Sequence, residues 1–98
     1  MKLWMDDVRP APDDYIWVKT VNEAKRWIMT LERMSSVELI DTDHDAGDYA
    51  WDGGDYIRLL DWLEETGRNY PIRIHSMNPV GRQNMLAICQ KNNWKVVY

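Results

Sequence analysis

The sequence predicts a single three-layer α/β domain over residues 1–98, with a mostly parallel five-stranded sheet and three helices. Three observations carry that prediction. Short apolar, strand-like runs alternate with segments of helical periodicity. Each helical segment has a recognisable start. Polar clusters follow the strand-like runs, where the strands of an open sheet would end. A chain of 98 residues supplies one modest core, and 45% hydrophobic residues suit a folded domain rather than a disordered tail.

Lys2 to Met5 is a short apolar run that stops at Asp6-Asp7 and reads as a buried strand. Val8 to Asp14 contains Pro10 and Pro12, which exclude regular helix. Tyr15 to Lys19 is aromatic and β-branched, the composition of a second strand. Thr20-Val21-Asn22-Glu23 then matches a capping box, and Val21, Ala24, Trp27, Ile28, Leu31 and Met34 continue at helical spacing. Val37 to Ile40 is the expected third strand. Gly53-Gly54 opens the next expected helix, with Ile57, Leu60, Leu63 and Trp62 inward and Gly67 at its C-terminal end. Ile72 to Ile74 reads as a fourth strand. Asn78 as N-cap and Pro79 in the first turn start a third helix reaching about Asn92, and Trp94 to Tyr98 makes a fifth strand. The order β-β-α-β-α-β-α-β lacks a helix between its first two strands. Either a proline-rich arm makes a parallel crossover there, or the second strand runs antiparallel.

Six Trp and five Tyr with no Phe give the core large amphipathic rings. Trp27 and Trp62 fall on core stripes; Trp51 lies beside an acidic loop, placed either to stack on a base or to pack that loop. The net charge of −4 argues against broad electrostatic binding of nucleic acid. A nucleic-acid end remains open as a ligand, because a bound metal inverts the local field. The single Cys89 excludes an intramolecular disulfide and a multi-cysteine zinc site, and its apolar helical setting predicts a buried thiol. The start MKLWMDDVRP meets two acids too early for a signal peptide, and no apolar run has membrane-spanning length. The expected location is cytoplasmic, with no membrane partner.

Three predicted strand ends carry polar clusters: Asp6, Asp7 and Arg9; Asp41-Thr42-Asp43-His44-Asp45; and His75-Ser76-Met77-Asn78-Pro79 with Gly81 and Arg82. Neighbouring strand ends lie about 5 Å apart, so these groups are expected to converge. Gathered carboxylates repel one another unless a cation is bound, and an oxygen-only donor set suits Mg²⁺ or Mn²⁺. Asp6, Asp7, Asp43 and Asp45 are the candidate metal ligands. Asp13, Asp14, Asp48, Asp52 and Asp55 read as turn formers and caps, and Asp41 could face either side of its strand. The Asn78-Pro79 helix start offers backbone N–H groups to an anion, with Ser76 and Arg82 adding donors and Arg9 a second guanidinium. His44 and His75, the only histidines, are the candidate acid–base residues, with Asp43 as the third catalytic candidate. Both histidines with a carboxylate could alternatively hold zinc. Arg58, Arg68 and Arg73 read as solvated surface charges.

The pattern of Asp-Asp after the first strand, Asp43 after the third and Ser76 after the fourth resembles the acidic pocket of response-regulator receiver domains. More of the chain is similar to a receiver-like family proposed to process cyclic phosphates. Leu3 to Pro10 (LWMDDVRP), Asp43 to Asp48 (DHDAGD) and His75 to Met85 (HSMNPVGRQNM) stand where that family carries its motifs. The resemblance implies a receiver-like (flavodoxin-like) fold whose first helix is replaced by a loop. It also implies a metal-dependent phosphoesterase acting on a cyclic phosphate or nucleotide, in bacterial or phage nucleic-acid repair or nucleotide signalling. Two other functions fit the same pocket: a non-catalytic module that binds a nucleotide or phosphate, and a stand-alone receiver phosphorylated on Asp43. Receivers have a helix after the first strand and a Lys at the end of the fifth, and this chain has neither.

Overall fold

The structure, a computed structural model, describes residues 1–98. Five strands form one sheet: β1 (Lys2–Met5), β2 (Tyr15–Val18), β3 (Leu39–Thr42), β4 (Ile72–Ile74) and β5 (Val96–Val97). Three helices accompany them, α1 (Val21–Met34), α2 (Ile57–Glu65) and α3 (Pro79–Lys91), with a 3₁₀ turn at Gly47–Tyr49. The sheet order is β2-β1-β3-β4-β5 and every pairing is parallel. The chain is therefore an α/β domain with a receiver-like arrangement of five strands.

The parallel β1–β2 pairing settles the open question about the first connection. Residues 6–14 form an irregular crossover arm, tied down by two indoles: Trp4 Nε1 donates to the Arg9 carbonyl at 2.9 Å and Trp17 Nε1 to the Asp6 carbonyl at 2.8 Å. The arm lies over the sheet face opposite the helices. Successive moves from β2 to β3, β4 and β5 run in one direction, so right-handed crossovers place α1, α2 and α3 on the same face. The core agrees. It takes Leu3, Met5, Val18, Ile40, Ile72 and Ile74, all of one strand parity, together with Val21, Ala24, Ile28 and Leu31 of α1, Leu59, Leu60 and Leu63 of α2, and Met85 and Cys89 of α3. The third layer expected from sequence is thus the arm itself, and Trp4, Asp41 and Arg73 alternate onto the side it shields.

Local chemistry explains where each element starts and stops. The Glu23 amide donates to Thr20 Oγ1 at 3.0 Å, and the Glu23 carboxylate returns to the Lys19 amide, closing the cap of α1. Helix α2 ends in Gly67 at φ 69°, and α3 ends in Asn93 at φ 56°, each followed by an amide that bonds back into the last turn. Several expectations need correction. Strand β3 runs two residues later than expected, so Asp41 and Thr42 are strand residues. Gly53 and Gly54 form a positive-φ turn (108° and 91°), and α2 begins only at Ile57. Strand β5 is shorter than expected. Trp27 is 37% exposed rather than core, and Trp51 is exposed rather than packed into its loop. Arg68 is not a free surface charge: it pairs with Glu32 at 2.9 Å and lies over the Trp62 ring. No helix is long and apolar enough to cross a membrane.

Candidate functional site

Register builds the site. Met5 pairs with Thr42 and Thr42 with Ile74, so Asp6, Asp43 and His75 are each the first residue beyond three aligned, adjacent strand ends. They share the parity of Trp4, Asp41 and Arg73, which puts their side chains on the arm's side, away from the helices.

At the centre, the His75 ring lies between two carboxylates. Its Nε2 is 2.9 Å from Asp6 Oδ2, and its Nδ1 is 2.7 Å from Asp41 Oδ1. A neutral imidazole offers one donor and one acceptor, so this arrangement needs a proton on both nitrogens or on one carboxyl. The Trp4 indole stacks face to face on the imidazole, with ring centroids 3.9 Å apart and planes within 5°. Arg73 donates to the other oxygen of Asp41 at 3.0 Å. Arg73 was expected to be a solvated charge; its strand register instead sets it beside a fully buried carboxylate. In the chain Arg73–Asp41–His75–Asp6–Arg9 the ring, 7% exposed, therefore sits between two carboxylates that each also pair with a guanidinium.

Asp6 is saturated. Its Oδ1 accepts from the amides of Val8 and Arg9, and its Oδ2 from Arg9 Nε at 3.1 Å and from the His75 ring. Burial pushes this carboxyl up, but the two amides, the ring and the guanidinium outweigh it and hold Asp6 below its usual value. Asp7 is in the opposite state. Burial and the fields of Asp6, Asp43 and Asp48 raise its carboxyl above the usual range. Gly47, at φ 56°, is required here, since a Cβ at that position would collide with the Asp7 carboxylate. Asp43 accepts the His44 amide at 2.7 Å through Oδ1, and its Oδ2 stands 3.6 Å from Arg9 Nη2.

Asp6, Asp7, Val8, Arg9, Asp43, Asp45, Ser76, Met77 and Asn78 line one cleft of about 410 Å³ at this edge. The structure therefore brings the four acidic candidates together with three of the four phosphate-binding candidates. The fourth, Arg82, donates to the Ile74 carbonyl, and neither it nor the two histidines belongs to the cleft wall. His44 lies beneath the rim, with Nδ1 2.7 Å from Asp45 Oδ1 and its ring against the first turn of α3. Gly81 makes that approach possible, because a Cβ there would sit 2.5 Å from His44 Cγ. Ser76 Oγ accepts the Asn78 amide, and Asn78 Oδ1 accepts the Gly81 amide as the cap of α3, both at 3.0 Å.

Ligand atoms of Asp6, Asp43 and His75 lie within 4.8 Å of one another, so the cluster has the spacing to hold a metal ion. Of the supporting residues, Trp4 was not singled out from sequence, Asp41 was left free to face either side of its strand, and Arg73 was read as a surface charge. Their signal was strand parity, which needed the correct bounds of β3.

A family model described as Cyclic-phosphate processing Receiver domain matches residues 1–91, and the chain belongs to that family. No match was found among curated proteins or among solved structures. Membership supports a phosphate-related role for the chain.

Proposed function

We propose that the chain is a metal-dependent phosphoesterase that opens a cyclic phosphate in the cleft between the β1, β3 and β4 ends. The observation that supports this most is the pairing of opposites at one sheet edge. Asp7 stands in the field of Asp6, Asp43 and Asp48, while Arg9 and the α3 start supply anion-binding groups in the same cleft. An Mg²⁺ or Mn²⁺ ion fits this donor set. Asp7 and Asp43 would hold it, because the Asp6 oxygens are already filled by four donors, and Asp45 would close the rim. Bound there, the ion would polarise the phosphate and acidify a water.

The chain's own residues supply orientation and proton handling. Arg9 holds Asp6 through Nε and the His75 carbonyl, beside Asp43, through Nη2, so its Nη1 can take a phosphate oxygen. Ser76 accepts a backbone amide and keeps its hydroxyl proton to donate, and Asn78 keeps its amide nitrogen. Ring opening breaks one phosphorus–oxygen ester bond and forms a phosphorus–oxygen bond to the attacking water. The leaving alkoxide then needs the proton that the water loses. His75, held between Asp6 on the cleft side and Asp41 behind, would relay that proton by way of Asp6. His44 steadies Asp45 and reaches no further into the cleft.

One observation favours a binding module instead: both His75 nitrogens are already engaged. Turnover decides between the readings. Incubating 2′,3′-cyclic and 3′,5′-cyclic nucleotides with Mg²⁺, Mn²⁺ or chelator should give metal-dependent ring opening that Asp43→Asn abolishes. Saturable binding with no product under any metal would establish the module.

A further inference from the structure

The cleft's polar groups account for a phosphate and its counterion, yet two apolar side chains also stand in its wall. Val8 is 73% exposed and Met77 is 86% exposed, both more open than an apolar residue with a packing role. They sit on different loops, Val8 after β1 and Met77 after β4, with the β3 end carrying Asp43 between them. The two loops leave strand ends that are two spacings apart, about 10 Å between backbones. Both side chains line the same cleft, so a ring held in it can touch each of them. Each is also sequence neighbour to a phosphate-binding candidate, Val8 to Arg9 and Met77 to both Ser76 and Asn78.

We infer that Val8 and Met77 form an apolar clamp for the base of a nucleoside cyclic phosphate, which makes them the specificity-determining residues of the cleft. The inference rests on the phosphoesterase reading and narrows its substrate class. A cyclic phosphate carried on a small polyol would leave both side chains in water and gain nothing from them. A purine or pyrimidine would cover them, and the unbranched thioether of methionine adapts well to the edge or face of a planar ring. The cleft volume of about 410 Å³ is in the range of sites for a single small molecule. The scale of the cleft thus suits one nucleotide whose phosphate lies at Asp43 and whose base lies in the outer slot.

The test compares adenosine 2′,3′-cyclic phosphate with glycerol 1,2-cyclic phosphate, which has the same five-membered phosphate ring and no base. The wild-type chain should prefer the nucleotide in kcat/KM, and Val8→Ser and Met77→Ser should each reduce that preference about tenfold, through KM rather than kcat. An equal loss on both substrates, or a wild-type chain with no preference, would overturn the clamp. Should neither substrate turn over, the phosphoesterase reading fails by itself. Calorimetric titration with adenosine 2′-monophosphate and glycerol 2-phosphate then decides the clamp separately. Tighter nucleotide binding that Met77→Ser abolishes supports it, and equal affinities refute it.

Discussion

Replacing Asp7 by asparagine should stabilise the metal-free chain and remove its response to metal. Burial and the fields of Asp6, Asp43 and Asp48 raise the Asp7 carboxyl. Above the folded value the ionised group therefore opposes folding; the opposition fades as pH falls through that raised value and is gone below the unfolded value of about 3.9. At neutral pH the full penalty is present. A partly exposed carboxylate against nearby like charges is worth on the order of 1 kcal/mol. In a domain of this size that corresponds to a rise of roughly 5 °C in Tm. Asparagine keeps the shape beside Gly47 and removes the charge. Metal acts in the opposite direction: an ion at a hundredfold excess over its Kd stabilises by about 2.7 kcal/mol, and the wild type alone should gain that increment. The assay is thermal unfolding at pH 7.5 with chelator and with saturating Mg²⁺. A lower Tm for Asp7→Asn in chelator would refute the repulsion argument. An equal Mg²⁺ response in both proteins would place the ion elsewhere.

Other substitutions probe the charge chain and its supports. His75→Ala leaves two buried carboxylates short of their shared partner and should cost about 3 kcal/mol, read as a lower urea midpoint; a loss within 0.5 kcal/mol, roughly what surface substitutions show, would mean the ring is not what holds them. Gly81→Ala improves helix propensity yet should destabilise by about 1–2 kcal/mol, because its Cβ meets the His44 ring; a net gain in Tm would show that the ring moves aside freely. Asp6 contributes stability that is fully present above about pH 4 and is lost as pH falls through its lower folded value, so the urea midpoint should drop less between pH 6 and pH 3 in Asp6→Asn than in the wild type. The Cys89 thiol, buried and pushed up to about 11, should resist thiol reagents at pH 8 in the folded chain and react only once urea unfolds it.

Much of the fold was legible because its signals are local. Thr20 with Glu23, Asn78 with Pro79, and Gly67 each mark a helix end through chemistry that a few neighbouring residues supply. The acidic cluster could be placed at the sheet edge because the apolar run of β1 stops at Asp6-Asp7. What could not be read depends on partners distant in sequence. Asp41 is as polar as the turn residues around it, and only its pairing with Trp4 and Arg73 makes it a buried strand residue. Trp27 has the spacing of a core position, yet it sits at the edge of the inward stripe defined by Ala24, Ile28 and Leu31. The direction of β2 was undecidable from loop length alone. The strand pairs parallel to β1, and two indole hydrogen bonds hold the arm that makes the crossover.

The most direct test of the central claim is a phosphorus NMR time course on adenosine 2′,3′-cyclic phosphate with the wild-type chain and Mg²⁺ or Mn²⁺ at a level that does not obscure the signal. The account predicts that the strained-ring resonance converts to a monoester resonance, that chelator stops the conversion, and that Asp43→Asn shows none. A ring resonance that persists unchanged with the folded wild-type chain and either metal would contradict it.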